Sequence, residues 1–133
     1  MYLRRVILTG AFLAEAAATV DNKLNVSGGV LSKYTVGPDR VARLVLVVLL
    51  RAGGDETNRF IDVDIKPPTL DDSLHERFEA PEASVGEFPG FAFFPFDVFL
   101  SVDGRWVIEV TGGEETVSLP LIVDAWAPPP MDI

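Results

Sequence analysis

Residues 41–51, VARLVLVVLLR, constrain the fold of this chain more than any other stretch. Leu44, Leu46, Val48 and Leu50 fall on one parity and Val45, Val47 and Leu49 on the other, so an extended backbone here is apolar on both faces. Turn signals bound the run, Gly37-Pro38-Asp39 before it and Gly53-Gly54 after it. A strand of that kind must be covered on both sides. In a two-layer fold the opposing sheet covers only one, and the second face needs a flanking segment of this chain or another chain.

The rest of the chain is written in the same period of two. Val6, Leu8, Gly10, Phe12, Ala14, Ala16, Ala18 and Val20 share a parity and suggest one long or bent strand, although the alanines keep a helix open. A turn over Asp21, Asn22 and Lys23 would set Val20 opposite Leu24 and Ala18 opposite Val26, with both pairs facing inward. Gly28-Gly29 reads as a bulge or corner, after which residues 30–36 resume the strand. Ile61, Val63 and Ile65 alternate with Asp62, Asp64 and Lys66 up to Pro67-Pro68, the pattern of a half-buried strand. Residues 69–92 are the least regular, with a short strand around 74–78.

Farther on, Phe94, Phe96, Val98, Leu100 and Val102 form the buried face of another strand, which puts Pro95 near a strand start or at a sheet edge. A hairpin closed by Gly112-Gly113 would pair Ile108 with Val117 and Trp106 with Leu119. About eight short strands and no convincing helix predict an all-β, antiparallel two-sheet β-sandwich, Ig-like or jelly-roll-like. The 133 residues suit one domain, residues 1–125, followed by a Pro-rich tail, residues 126–133, whose successive prolines offer no N–H to a sheet.

Composition narrows the function. Eleven Lys and Arg against 20 Asp and Glu give a net charge of −9, which argues against a nucleic-acid partner or an anionic membrane surface. The absence of cysteine removes disulfides, thiolate chemistry and Cys-ligated metals, with a cytoplasmic location as the default expectation. Arg4 and Arg5 ahead of an apolar run imitate a signal peptide, but Glu15 interrupts the small-residue patch that would be cleaved. No apolar run reaches the roughly twenty residues of a membrane-spanning helix.

Three stretches taken in order, KLNVSGG (residues 23–29), DETNR (residues 55–59) and GRWVIEV with the following LPLIV (residues 104–123), resemble an uncharacterised bacterial family of small β-sandwich domains. The resemblance implies a fold and a bacterial or phage setting, and no catalytic residues. The Phe-rich segment departs from the more polar stretch usual in that family, and the tail beyond Val123 has no counterpart in it.

Chemistry-bearing patterns are sparse. His75 is the only histidine and no Gly-x-Ser-x-Gly elbow accompanies it, so nucleophilic catalysis is not expected. The glycine pairs lack the Lys-Ser/Thr of a phosphate loop and read as turns and bulges. Asp62 and Asp64 share a strand face, with Asp71-Asp72 and Asp55-Glu56 in loops, yet no loop has calcium-binding spacing. The same carboxylates lack any feature that would set one as acid and one as base for glycoside hydrolysis. In the DETNR box, Arg59 bridging to Asp55 and Asn58 satisfying backbone groups is the favoured reading.

Six of the nine phenylalanines lie between Phe88 and Phe99, and Phe91, Phe93 and Phe99 fall on the parity away from the core. With the two-sided strand, these nominate Val45, Val47, Leu49, Phe91, Phe93 and Phe99 as an interface. The expected function is a non-enzymatic protein-interaction or structural module without cofactor or metal, binding a second copy of itself or another protein. The competing class is a calcium- or carbohydrate-binding module using Asp62, Asp64 and aromatic platforms such as Trp126 or Phe93.

Overall fold

A computed structural model describes residues 4–51, 57–85, 88 and 90–127. These form an all-β fold of β1 (Arg4–Arg5), β2 (Ile7–Ala14), β3 (Ala16–Val20), β4 (Lys23–Ser27), β5 (Lys33–Val36), β6 (Val41–Arg51), β7 (Thr57–Asn58), β8 (Phe60–Lys66), β9 (Leu74–Glu79), β10 (Gly90–Phe99), β11 (Gly104–Gly112) and β12 (Glu115–Ala125), with a 3-10 turn at Glu82–Ser84. Among the described residues the strands number twelve where the sequence suggested about eight, because short pieces such as β1 and β7 carry no hydrophobic period of their own and the first segment is split. A three-stranded sheet runs β10-β6-β2 and a five-stranded sheet runs β5-β12-β11-β8-β9, while β3-β4 and β1-β7 form two-stranded sheets.

One buried cluster joins the two larger sheets. Leu44, Leu46, Val48 and Leu50 of β6 meet Ile61, Val63 and Ile65 of β8, Trp106, Ile108 and Val110 of β11, and Leu121 and Val123 of β12. Trp106 is 2% exposed and its indole N–H donates to the Val102 carbonyl at 3.0 Å, which satisfies the one polar atom it carries inward. Phe78 of β9 stacks on Phe94 of β10 with ring centroids 4.8 Å apart, closing one corner between the sheets. At another corner Gly112 lets strands approach closely: a Cβ there would lie 3.2 Å from both the Ile61 Cδ1 and the Leu8 Cβ.

The opening segment is two strands in different sheets, not one. The register of β2 on β6 slips between Leu8 and Gly10, a bulge, and Thr9 there donates from Oγ1 to the Leu49 carbonyl at 3.1 Å. One extra residue exchanges the two faces of everything after it. Val6 and Leu8 therefore enter the main core, but beyond the bulge it is Leu13 that does so, while Ala14 and Phe12 turn to the opposite face.

Both hairpin registers differ from the sequence expectation. Val20 pairs with Lys23 and Ala17 with Val26, so the β3-β4 loop has two residues, Asp21 at φ 52° and Asn22 at φ 61°. Positive φ at both is the requirement of a type I′ turn, and Asp and Asn are among the few side-chain-bearing residues that tolerate it. The one-residue change exchanges the faces of β3 alone: Val20, 52% exposed, turns outward and Ala17 turns inward in its place, while Leu24 keeps the inner face, as does Val26, which lies opposite Ala17 and is 36% exposed. In β11-β12, Ile108 pairs with Leu119, Val110 with Val117 and Trp106 with Leu121, which leaves Gly113 and Glu114 as the loop. Gly113 alone has positive φ, 65°, the type II′ arrangement with glycine first. That shift of two residues preserves the inward face. Nor does β4 resume as β5: Val30 is 69% exposed, and β5 joins the five-stranded sheet parallel to β12.

Two prolines sit inside strands, and ladder parity explains both. The Arg43 N–H donates to the Tyr34 hydroxyl at 3.2 Å, away from β10, and the Leu100 N–H donates to the Arg40 carbonyl at 2.9 Å, one pair beyond the β10-β6 register. Even-numbered residues of β10 thus bond to β6, and odd-numbered ones, Pro95 included, face the sheet edge. Likewise the Ile122 N–H reaches the Ser32 carbonyl on the β5 side at 2.8 Å, so Pro120 faces that side just before β5 pairing begins. Neither proline removes a donor that a neighbouring strand uses.

Candidate functional site

The outer face of the three-stranded sheet collects the nominated interface residues in rows set by register. Gly10, Leu49 and Phe91 form one row, Phe12, Val47 and Phe93 the next, and Ala14, Val45 and Pro95 the third. The β3-β4 hairpin lies over the last two rows. Ala17 and Leu24 pack with Phe12 and Phe93 against Ala14, Val45 and Val47, leaving Val47 fully buried and Val45 8% exposed. The second face of β6 is thus covered by a flanking segment of the chain itself, and Val45 and Val47 present no free surface.

The uncovered row is different. Leu49 is 38% exposed beside a half-buried Phe91, its direct cross-strand neighbour. Gly10 on the other side adds no side chain to shield it. Phe99, 56% exposed, stands at the opposite end of β10, opposite Val41, and is not part of this group.

Next to that row a cleft of about 490 Å³ lies along the N-terminal half of β10. Gly90, Phe91, Ala92 and Phe93 line it, with Thr19 and Asn22 from the hairpin and Pro81, Ala83 and Ser84 from the 3-10 turn. Ser84 is the one buried polar residue among the described residues, and its hydroxyl donates to the Pro81 carbonyl at 2.5 Å. A Cβ on Gly90 would collide with the Ser84 backbone oxygen, so glycine is what permits the turn to rest on the strand. Of these residues the sequence nominated only Phe91 and Phe93. Thr19 and Asn22 depend on a hairpin register that parity misassigned, and Pro81 to Ser84 lie in a stretch without period.

The acidic candidates occupy the solvent face of the five-stranded sheet and are engaged across the strand pair by Arg77 and His75. Asp62 accepts from Arg77 Nε at 2.8 Å, and Asp64 lies 2.8 Å from His75 Nδ1, whose Nε2 is 3.5 Å from Asp62. Arg77 also sits over the Phe60 ring, 4.9 Å from its centroid. Lys66 donates to Glu109 at 2.8 Å, and that bond holds its ammonium above the usual lysine range. The bond to Asp62 likewise raises Arg77. Among the described residues no three His, Asp or Glu side chains are grouped to hold a metal ion.

In the DETNR box, Asp55 lies outside the described residues, as do Glu56 and the turn at Gly53-Gly54. Arg59 donates to the Ala80 carbonyl and to Glu79 Oε1, both at 2.9 Å, which ties the β8 entry to the end of β9. Asn58 does satisfy a backbone group, accepting from the Phe60 N–H at 2.9 Å. Trp126 is 64% exposed, with its backbone N–H on the Val36 carbonyl at 2.9 Å, and the prolines that follow from 128 lie outside the described residues. A scan against protein-family models, a search of curated proteins and a search of solved structures each found no match to this chain.

Proposed function

We propose that this chain is a two-sheet β-sandwich serving as a non-enzymatic protein-interaction module, one that self-associates or seats in a larger bacterial or phage assembly. The observation that carries the reading is the uncovered row: Leu49 and Phe91 stand side by side next to the two rows of that sheet face that the hairpin has covered. An exposed apolar side chain beside a half-buried one on an ordered sheet gains by burial against a partner. Support no longer comes from Val45 and Val47, which the chain covers itself.

Two further points favour binding over catalysis. The Nδ1 of His75 bonds to Asp64 at 2.8 Å, its Nε2 lies 3.5 Å from Asp62, and among the described residues no hydroxyl is hydrogen-bonded to either nitrogen. Asp62 is committed to Arg77 and Asp64 to His75, so a calcium ion would have to displace a bonded side chain from each. Light scattering of wild type and Leu49→Asp over a range of concentrations tests the self-associating form. The expected result is a mass above one chain for wild type that falls to one chain for the variant. A wild-type mass of one chain throughout, with no slowing of exchange at the Leu49 and Phe91 amides as concentration rises, overturns it.

A further inference from the structure

The edge of β10 has its own recognition chemistry, separate from the side chains of the uncovered row. In an antiparallel pair each residue directs both its N–H and its C=O to the same side, alternating along the strand. With even-numbered residues committed to β6, Phe91, Phe93, Pro95, Asp97 and Phe99 direct theirs outward, and among the described residues no strand pairs with that side. Pro95 lacks an N–H and so divides the edge: upstream of it, Phe91 and Phe93 each offer a donor and an acceptor. The cleft runs along this upstream half.

The shape and chemistry of the cleft select the occupant. Thr19 and Asn22 stand on one side of the edge and Pro81, Ala83 and Ser84 on the other, so the edge is recessed between walls. A second copy carries the same walls, and two recessed edges cannot meet. A single extended segment, thin enough to enter, can. Among the described residues no charged side chain lines the cleft, so a charged group entering it would give up hydration without a partner there.

We propose that Gly90–Phe93 accepts an extended, uncharged peptide segment of another protein as an added strand, held by backbone hydrogen bonds at Phe91 and Phe93 and ended by Pro95. The proposal goes beyond self-association through Leu49 and rests on a different observation. Its probe is a capped octapeptide alternating valine with serine, titrated to millimolar concentration into the full isotope-labelled chain. Saturable shifts and slowed exchange are expected at the Phe91 and Phe93 amides. Methylating alternate peptide nitrogens in one phase should weaken binding by about tenfold or more, and in the other phase leave it unchanged. Ala83→Trp, a change at an exposed wall position, should weaken binding by a similar factor.

No shift at Phe91 or Phe93, equal binding by both methylated phases, or shifts there with a neutral hexasaccharide and none with the peptide would each overturn the proposal. Binding should survive Leu49→Asp. Peptide binding by a strictly monomeric chain would sink self-association alone, and an oligomer deaf to the peptide would sink strand addition alone.

Discussion

The two faces of β6 are alike in composition and are covered by unlike devices. Leu44, Leu46, Val48 and Leu50 point into a core shared with a five-stranded sheet, whose strands are locked to one another by continuous ladders. Val45 and Val47 point the other way, under a hairpin that shares no ladder with the sheet beneath it and reaches it through Ala17 and Leu24. Every other residue of β3 and β4 is exposed. Leu46 and Val47 are both fully buried, yet the layers above them differ in what holds them down. Fractional exposure records whether a side chain is covered; it does not record how firmly the cover stays on.

The largest expected effect contrasts those neighbours directly. Leu46→Ala should cost about 2–5 kcal/mol, because the surrounding layers are fixed and collapse only in part around the cavity. Val47→Ala should cost about 1–2 kcal/mol, the transfer term for two methyl groups, since the hairpin can settle onto the smaller residue. Urea denaturation measures both. Equal losses would mean that the hairpin is as rigid a layer as the five-stranded sheet, and the contrast between the faces would fail.

Much of this arrangement is legible in the sequence, and the gaps have physical causes. The two-sided character of β6 can be read from parity alone, as can the burial of Ile61, Val63 and Ile65 and of Phe96 and Val98, because strands without bulges keep one face throughout. Parity fails at the first irregularity. Thr9 carries no mark that distinguishes a bulge from another strand residue, yet it reverses the faces of Ala11 to Ala14. The Asp21-Asn22 turn was misplaced by one residue because nothing but tolerance of positive φ distinguishes a two-residue loop there, and that error concealed which side of the hairpin covers Val45 and Val47. Of the candidate site, Phe91 and Phe93 can be found by aromatic density. The opposite wall, Pro81 to Ser84, is brought to β10 by tertiary packing over Gly90, which local pattern does not encode.

The second prediction sharpens the comparison by time rather than by energy. A two-stranded hairpin is marginal without a layer to rest on, so β3-β4 should open locally while the larger sheets stay closed. Amides of residues 16–27 should exchange faster than those of β6, and with weaker dependence on denaturant. Leu24→Ala removes the largest side chain the hairpin contributes inward; from a half-buried site it should cost about 1 kcal/mol and raise exchange in β3-β4 alone. Exchange rising equally in β11 and β12 would show that hairpin and sheet unfold as one unit.

The smallest expected effect concerns charge, and it belongs to the inner cover alone. Polar side-chain rungs tie β8 to both neighbours, Asp62 and Asp64 to β9 and Lys66 to Glu109 of β11. Lys66 is raised above 10.5 in the fold, first by its hydrogen bond to Glu109 and then by that group's charge. A folded pKa above the unfolded one means that the native state holds the proton more tightly. The stabilisation is therefore complete below pH 10.5 and is lost as pH rises through the folded value. The pair is exposed to solvent, so its contribution is small and weakens with salt. Wild type should melt slightly above Lys66→Gln at neutral pH, and the gap should close as the solution is made more alkaline than pH 10.5. Opening of β3-β4, measured by exchange at neutral pH, should be the same in both proteins, because the hairpin touches none of these rungs. A gap that widens with alkalinity would mean that Lys66 is held by something other than the carboxylate of Glu109.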